Sequence, residues 1–239
     1  MNSSELGTRL KMVADMVRKG GCVADIGTDH AFLPSYLVLN EICEKAIAVD
    51  VKKGPLLNAK ETLDAYKIGD RVLLRLSDGL DDIKRDEADD IILAGMGGVM
   101  ISKILKRCEW VKDSRKQLII QPQSHAEVVR KFLYTNGFEI MKEDSCIDEG
   151  RVYIAIHARY SGKQQHKEPF NYYVGKLEEC NKESAYKYLK KQYLRVKKRS
   201  ESLLSVGRLP KEEAELSQVV KEMEKILIKI ERREKYGER

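Results

Sequence analysis

The sequence predicts an α/β protein: an open seven-stranded sheet covered by helices, followed by a C-terminal α-helical hairpin paired as a coiled coil. Three observations carry this. Short apolar runs alternate with helical patterns through the first 160 residues, the last two runs are joined without a helix, and two long stripes of apolar residues spaced by three and four end the chain. Composition agrees, since 239 residues suffice for one large domain and a smaller appendage, with 42% apolar and 34% charged residues. No run approaches the ~20 consecutive apolar residues of a membrane helix, and the opening MNSSELGTRLKM has no uninterrupted apolar stretch to act as a secretory signal. A cytoplasmic protein without a membrane partner is the expectation.

The elements follow in order. Leu6, Leu10, Val13 and Val17 have helical spacing and end at Lys19-Gly20-Gly21, a helix with a glycine stop. Strand 22–26 leads through a glycine turn into a helix near 33–40, strand 46–50 into a helix near 55–66, and strand 72–76 follows. Strand 90–94 precedes a helix near 99–108, and strand 117–121 a helix near 125–136. Runs 138–142 and 152–158 have a turn at Asp148-Glu149-Gly150 and no helix between them, so they should form an antiparallel edge on a parallel sheet. Polar residues 161–169 (SGKQQHKEP) read as a linker, dividing the chain into a Rossmann-like domain, 1–160, and a basic helical hairpin, 161–239. In the hairpin Tyr186, Leu189, Tyr193, Val196, Ser200 and Leu203 form one stripe. Leu216, Val219, Met223, Ile226 and Ile230 form the other, after a turn at Gly207-Arg208-Leu209-Pro210.

Charge divides along the same boundary. Residues 1–160 hold 24 Lys+Arg against 25 Asp+Glu, and residues 161–239 hold 20 against 13. Nine of those bases, against three acids, lie in 176–199, with Tyr172, Tyr173 and Tyr188 near or among them. A polyanion-binding arm and a merely solvated helix face both fit this pattern. The five cysteines are scattered without a C-x-x-C pair, and His30, His125, His157 and His166 lack metal-ligand spacing, so no metal site is expected.

Chemistry should gather at the carboxyl ends of the parallel strands. The first ends as Asp25-Ile26-Gly27-Thr28-Asp29-His30, with one glycine and two acids where a dinucleotide fingerprint would place G-x-G-x-x-G. Acids there suit a cationic ligand without phosphate, and S-adenosylmethionine, with its sulfonium and ammonium groups, fits that description. Asp25 would receive its methionine end, Asp50 at the second strand end its ribose, and Asp78 in Ser77-Asp78-Gly79 the adenine amino group. After the fourth strand, Gly95-Met96-Gly97-Gly98 reads as a mobile loop beside the reacting methyl.

The segments ADIGTDHAFLP, AVDVKKGPLLNAKE, SDGL, IILAGMGG and QPQ together resemble the bacterial tRNA adenine-22 N1-methyltransferases of the TrmK type, closely over about residues 5–160. The resemblance implies a class I methyltransferase fold, S-adenosylmethionine as cofactor and tRNA as substrate, methylated on N1 of an adenosine in the D arm. A ring nitrogen with a free lone pair needs positioning more than a base. Asp29 is therefore the candidate to stabilise the charge developing on the adenine, with His30 second. The Asn/Asp-Pro-Pro-aromatic signature of enzymes that grip an exocyclic amine does not follow the fourth strand. Arg9, Lys11, Phe32 and Gln121-Pro122-Gln123 are candidates for the base pocket. Lys187, Lys190, Lys191, Arg195, Lys197, Lys198 and Arg199 are candidates for phosphate contacts, of which about half can face the RNA at once. A monomer is expected. Two rivals stay open: a methyltransferase for a small molecule or protein with a dimerising hairpin, and a non-catalytic RNA-binding adaptor.

Overall fold

The computed structural model describes residues 6–180, 182–206 and 209–236. Its strands are β1 (Cys22–Ile26), β2 (Lys45–Asp50), β3 (Val72–Leu76), β4 (Asp90–Gly97), β5 (Gln117–Ser124), β6 (Phe138–Asp148) and β7 (Arg151–Tyr160). They form one seven-stranded sheet in the order β3-β2-β1-β4-β5-β7-β6. The first five run parallel, and β7 lies antiparallel between β5 and β6.

Central strands read as continuous apolar runs because both sheet faces are covered. On one face Val23, Ala48, Ile92 and Ile119 pack under α1 (Thr8–Ala14), α2 (Phe32–Leu39) and α3 (Lys53–Tyr66). On the other, Ala24, Leu93, Leu118 and Ile120 pack under α4 (Gly98–Arg107) and α5 (Ala126–Thr135). Neighbouring residues of one strand thus serve opposite layers, as the period of two requires.

Two stretches depart from the sequence expectation. β4 and β5 continue past two irregularities in register, so that Met96 pairs with Pro122 and Gly97 with Ser124. Residues 95–97 are therefore bulged strand rather than a mobile loop, and α4 starts at Gly98. β6 also extends well beyond residue 142, through Glu143-Asp144-Ser145-Cys146, which breaks any apolar alternation. Glu143 points inward and is met by Arg130 of α5: Nε–Oε1 is 2.7 Å, Nη2–Oε2 is 3.0 Å, and both side chains are fully buried. The partner charge that permits the strand lies 13 residues away in sequence. The β6–β7 turn forms as expected, with Glu149 at φ 46° and Gly150 at φ 72°, the left-handed pair of a two-residue hairpin.

After the sheet come α6 (Pro169–Val174), a 3₁₀ turn (Leu177–Glu179), α7 (Glu183–Val206) and α8 (Pro210–Tyr236). The last two are antiparallel, linked by Tyr186–Glu231, Tyr193–Glu224 (3.1 Å) and Arg199–Glu212. Of the expected turn, Gly207 and Arg208 lie outside the described residues. Leu189, Val196, Ser200, Leu216, Val219 and Met223 are buried along the stripes, and Leu227 joins them. Tyr172 and Tyr188, expected among surface charges, are buried instead, in the same core as α4 and α5. Burying these two rings takes a large apolar area out of water, whereas Tyr186 and Tyr193 stay partly exposed. The core continues from the sheet into α6, α7 and α8, and Arg130 also donates to the Tyr172 and Tyr173 carbonyls, at 2.8 and 3.1 Å.

Candidate active site

β1 ends at Gly27, whose φ of 79° lets the chain turn sharply while its N–H donates to the Val49 carbonyl at 2.8 Å. The turn leaves a cavity of about 350 Å³ between the ends of β1 and β4, within the size of small-molecule sites (~300–1,000 Å³). Arg9 and Leu10 of α1 form one wall, Asp25, Gly27 and Thr28 the floor, Asp29 to Phe32 the mouth, and Gly95 with Gln123 the far side.

Asp25 is buried at 6% exposure, and desolvation pushes its carboxyl up to about 6 against a Thr28 hydrogen bond and the positive charge of Arg9. Arg9 donates through Nη1 to Gln121 Oε1 at 2.8 Å and lies over the Tyr153 ring at 5.7 Å. The same Gln121 oxygen accepts the Gly95 N–H at 3.2 Å. A fully buried glutamine thereby ties helix α1 to the end of β4. At the mouth, Asp29 and His30 stand 3.5 Å apart, 71% and 42% exposed, and the His30 ring stacks on Phe32 at 5.0 Å and 8°.

Other expected residues stand apart from this cavity. Asp50 is half-buried at the end of β2, where it accepts the Lys52 N–H at 2.8 Å. Asp78 is held by Arg107 of α4 at 3.0 Å, a hydrogen bond that keeps its carboxyl below the usual range. Gly79 rests on Ile104 and Met96 lies against Gly27, while Pro122 and Gly97 belong to the extended strands. Lys11 pairs with Asp15 on its own helix and is not part of the lining. On α7, Lys190 and Lys197 lean on Tyr186 and Tyr193 toward α8, Arg195 reaches Glu127 at 3.0 Å, and Lys191 and Lys198 are exposed. The structure thus gathers Arg9, Asp25, Gly27, Asp29, His30, Phe32, Gly95 and Gln121, and spreads the lysines around the helix. Sequence reasoning missed Thr28, whose signal is a hydroxyl three residues after an acid across a glycine turn. Leu10, expected to face the core of its helix, also lines the cavity.

A buried carboxylate beside a guanidinium, with no glycine-rich phosphate cradle, fits an amino-acid zwitterion such as the methionine end of S-adenosylmethionine. Among the described residues no cluster of His, Cys, Asp or Glu could hold a metal ion, and no helix is long and apolar enough to cross a membrane.

The sheet order and this site define a class I methyltransferase, and the methyltransferase domain family matches residues 6–156. The tRNA (adenine(22)-N(1))-methyltransferase of Bacillus subtilis (strain 168) is 38% identical over 158 residues, an alignment spanning 66% of this chain and 66% of that protein. The crystal structure of the B. subtilis m1A22 tRNA methyltransferase TrmK superposes with a TM-score of 0.79 at 30% identity, covering 94% of this chain and 98% of the other. M. capricolum TrmK in complex with S-adenosyl-homocysteine, described as the natural cofactor product, gives a TM-score of 0.74 at 25% identity, with 95% and 98% covered. The chain belongs to the TrmK family of tRNA (adenine-22 N1)-methyltransferases.

Proposed function

We infer that this chain transfers the methyl group of S-adenosylmethionine to N1 of adenine 22 in the D arm of tRNA. The observation that carries the reading is the cavity at the β1 and β4 ends, which pairs buried Asp25 with Arg9 and opens on the exposed Asp29–His30–Phe32 cluster. When bound, the cofactor supplies an electrophilic methyl on its sulfonium. Asp25 would accept the ammonium group and Arg9, expected from sequence at the base pocket, would receive the carboxylate, because both line the same cavity. Asp50, outside the cavity lining at the neighbouring strand end, would accept the ribose hydroxyls.

The target adenine has to leave its stack to reach a methyl held in such a cavity. The His30–Phe32 stack, partly exposed at the mouth, offers the flat surface that an extruded base needs. Transfer would need no prior deprotonation of adenine N1: the N1–methyl bond would form as the methyl–sulfonium bond breaks, releasing S-adenosylhomocysteine and leaving the positive charge on the adenine ring. Asp29 stabilises that charge by standing near it as a carboxylate. The hairpin, packed as a coiled coil, presents Lys191 and Lys198 to RNA phosphates, and the enzyme works as a cytoplasmic monomer. The rival small-molecule and adaptor readings lack an observation of their own.

The full-length protein, unmodified tRNA and methyl-labelled S-adenosylmethionine test the reading directly. Label recovered as 1-methyladenosine at position 22 is expected. Label in protein or small molecules, or none in tRNA, rejects it.

A further inference from the structure

We propose that His125 and Arg195, both held by the carboxylate of Glu127, form a binding subsite for an RNA backbone phosphate beside the methyl-transfer cavity. The proposal rests on tRNA being the substrate and adds where the chain grips it next to the reacting nucleotide.

His125 follows directly on β5 and has a φ of 53°, a left-handed backbone that a β-carbon makes costly. What holds it there is contact with the end of β4. A Cβ at Gly98 would lie 2.2 Å from the His125 carbonyl oxygen, so only glycine allows the two segments this close. Gly97 pairs with Ser124, and Gly95 and Gln123 line the cavity. His125 is therefore fixed two residues from the cavity wall, on the bulged continuation of the sheet.

Its ring is 48% exposed and its Nδ1 lies 3.1 Å from Glu127 Oε1. Arg195 of α7 approaches the other oxygen, Oε2, with Nη2 at 3.0 Å and is 42% exposed. One carboxylate, 16% exposed and held ionised by Arg195 against its burial, thus sets two donor groups side by side. Arg195 uses only one guanidinium nitrogen on it. With Nδ1–H donating to Glu127, the imidazolium form of the ring offers its Nε2–H to a phosphate oxygen. Two cations and one carboxylate leave one net positive charge, matched to a single phosphodiester. Val99 and Met100, 44% and 52% exposed, follow the Gly98 that packs against His125. The Arg195–Glu127 pair is also a contact between the basic hairpin and the first turn of α5.

The test uses the full chain with Arg195→Gln, His125→Asn, whose side chain tolerates the left-handed backbone, and the double variant. Affinity for unmodified tRNA is measured from about 50 to 200 mM salt, alongside cofactor affinity and melting temperature. Each single change should weaken tRNA binding about fivefold to tenfold and lower the salt slope by roughly one. The double variant should be little worse than either, because both groups hold one phosphate, and cofactor affinity should stay within about twofold. An unchanged slope with a lowered melting temperature overturns the proposal, because the cluster then only fastens α7 to α5. If the parent chain methylates tRNA and the variants bind it equally well, the subsite alone fails. A parent chain that neither binds nor methylates tRNA removes the function reading with it.

Discussion

Asp25 answers two demands that oppose each other. On the proposed reading the cofactor needs a carboxylate at Asp25, while burial disfavours one and raises the carboxyl from 3.8 to about 6. For an acid raised on folding, the stability contribution is full below the unfolded value and disappears as pH climbs through about 6. Above that, ionised Asp25 costs the free protein on the order of 3 kcal/mol. Asp25→Asn should therefore melt higher than the parent at pH ~8 and about equally near pH 4. Its cofactor affinity should fall more than about tenfold at the higher pH, and the parent's own affinity should weaken as pH drops below about 6. Melts and calorimetry at both pH values decide this, and equal melting at the higher pH would show that Arg9 and Thr28 already offset the buried charge. Asp29 poses the simpler case. It is exposed and its partner in the reading is the adenine, so Asp29→Ala should lower kcat with cofactor affinity unchanged within a few fold. Parental turnover in that variant would reassign the role.

Elements owe their extent to partners that lie far off in sequence. β6 runs through Glu143 because Arg130 neutralises it, and Arg130 in turn holds the α6 carbonyls, with Lys176 N–H closing the set on Glu143 at 3.1 Å. This buried pair joins helix α5, the sheet edge and the start of the C-terminal segment. Removing one partner leaves an unpaired buried charge, so Arg130→Met should cost about 3–5 kcal/mol, and combining it with Glu143→Leu should recover part of that loss. Denaturant melts of the parent, the single variant and the double variant measure this. A single variant as stable as the parent would mean that water reaches Glu143.

At the scale of the molecule, the hairpin cannot be treated as a detachable arm. Val174, Leu177, Ala185 and Leu189 are almost fully buried in a core shared with the sheet, so deleting the C-terminal segment would open that core as well as remove charge. Charge alone is the cleaner variable. Lys187, Lys191 and Lys198 follow one exposed stripe of α7 at spacings of four and seven, while Lys190 and Lys197 turn toward α8. Replacing the three exposed lysines by Gln should weaken tRNA binding, reduce its salt slope by roughly one per lost phosphate contact, and leave the melting temperature nearly unchanged. Binding that keeps its full salt slope would make the stripe a solvated face.

The order of strands and helices, the antiparallel edge and the acids at the strand ends were legible in the sequence. Each rests on local signals: periodicities of two and 3.6, glycine turns, and Asp placed after an apolar run. Asp25, Gly27 and Phe32, which the fold brings to one cavity, carry such signals. The linear chain hid pairings between distant residues. Nothing near Glu143 announces Arg130, and nothing near Arg9 announces Gln121. The tail lysines sit close together in sequence, yet the helix turns them to different sides. Local backbone preference and apolar patterning determined which elements form and that acids stand at the ends of the parallel strands. Burial and charge pairing across the fold, which depend on neighbours supplied by other elements, decided how far the strands run, which tyrosines leave the surface, and which bases remain exposed.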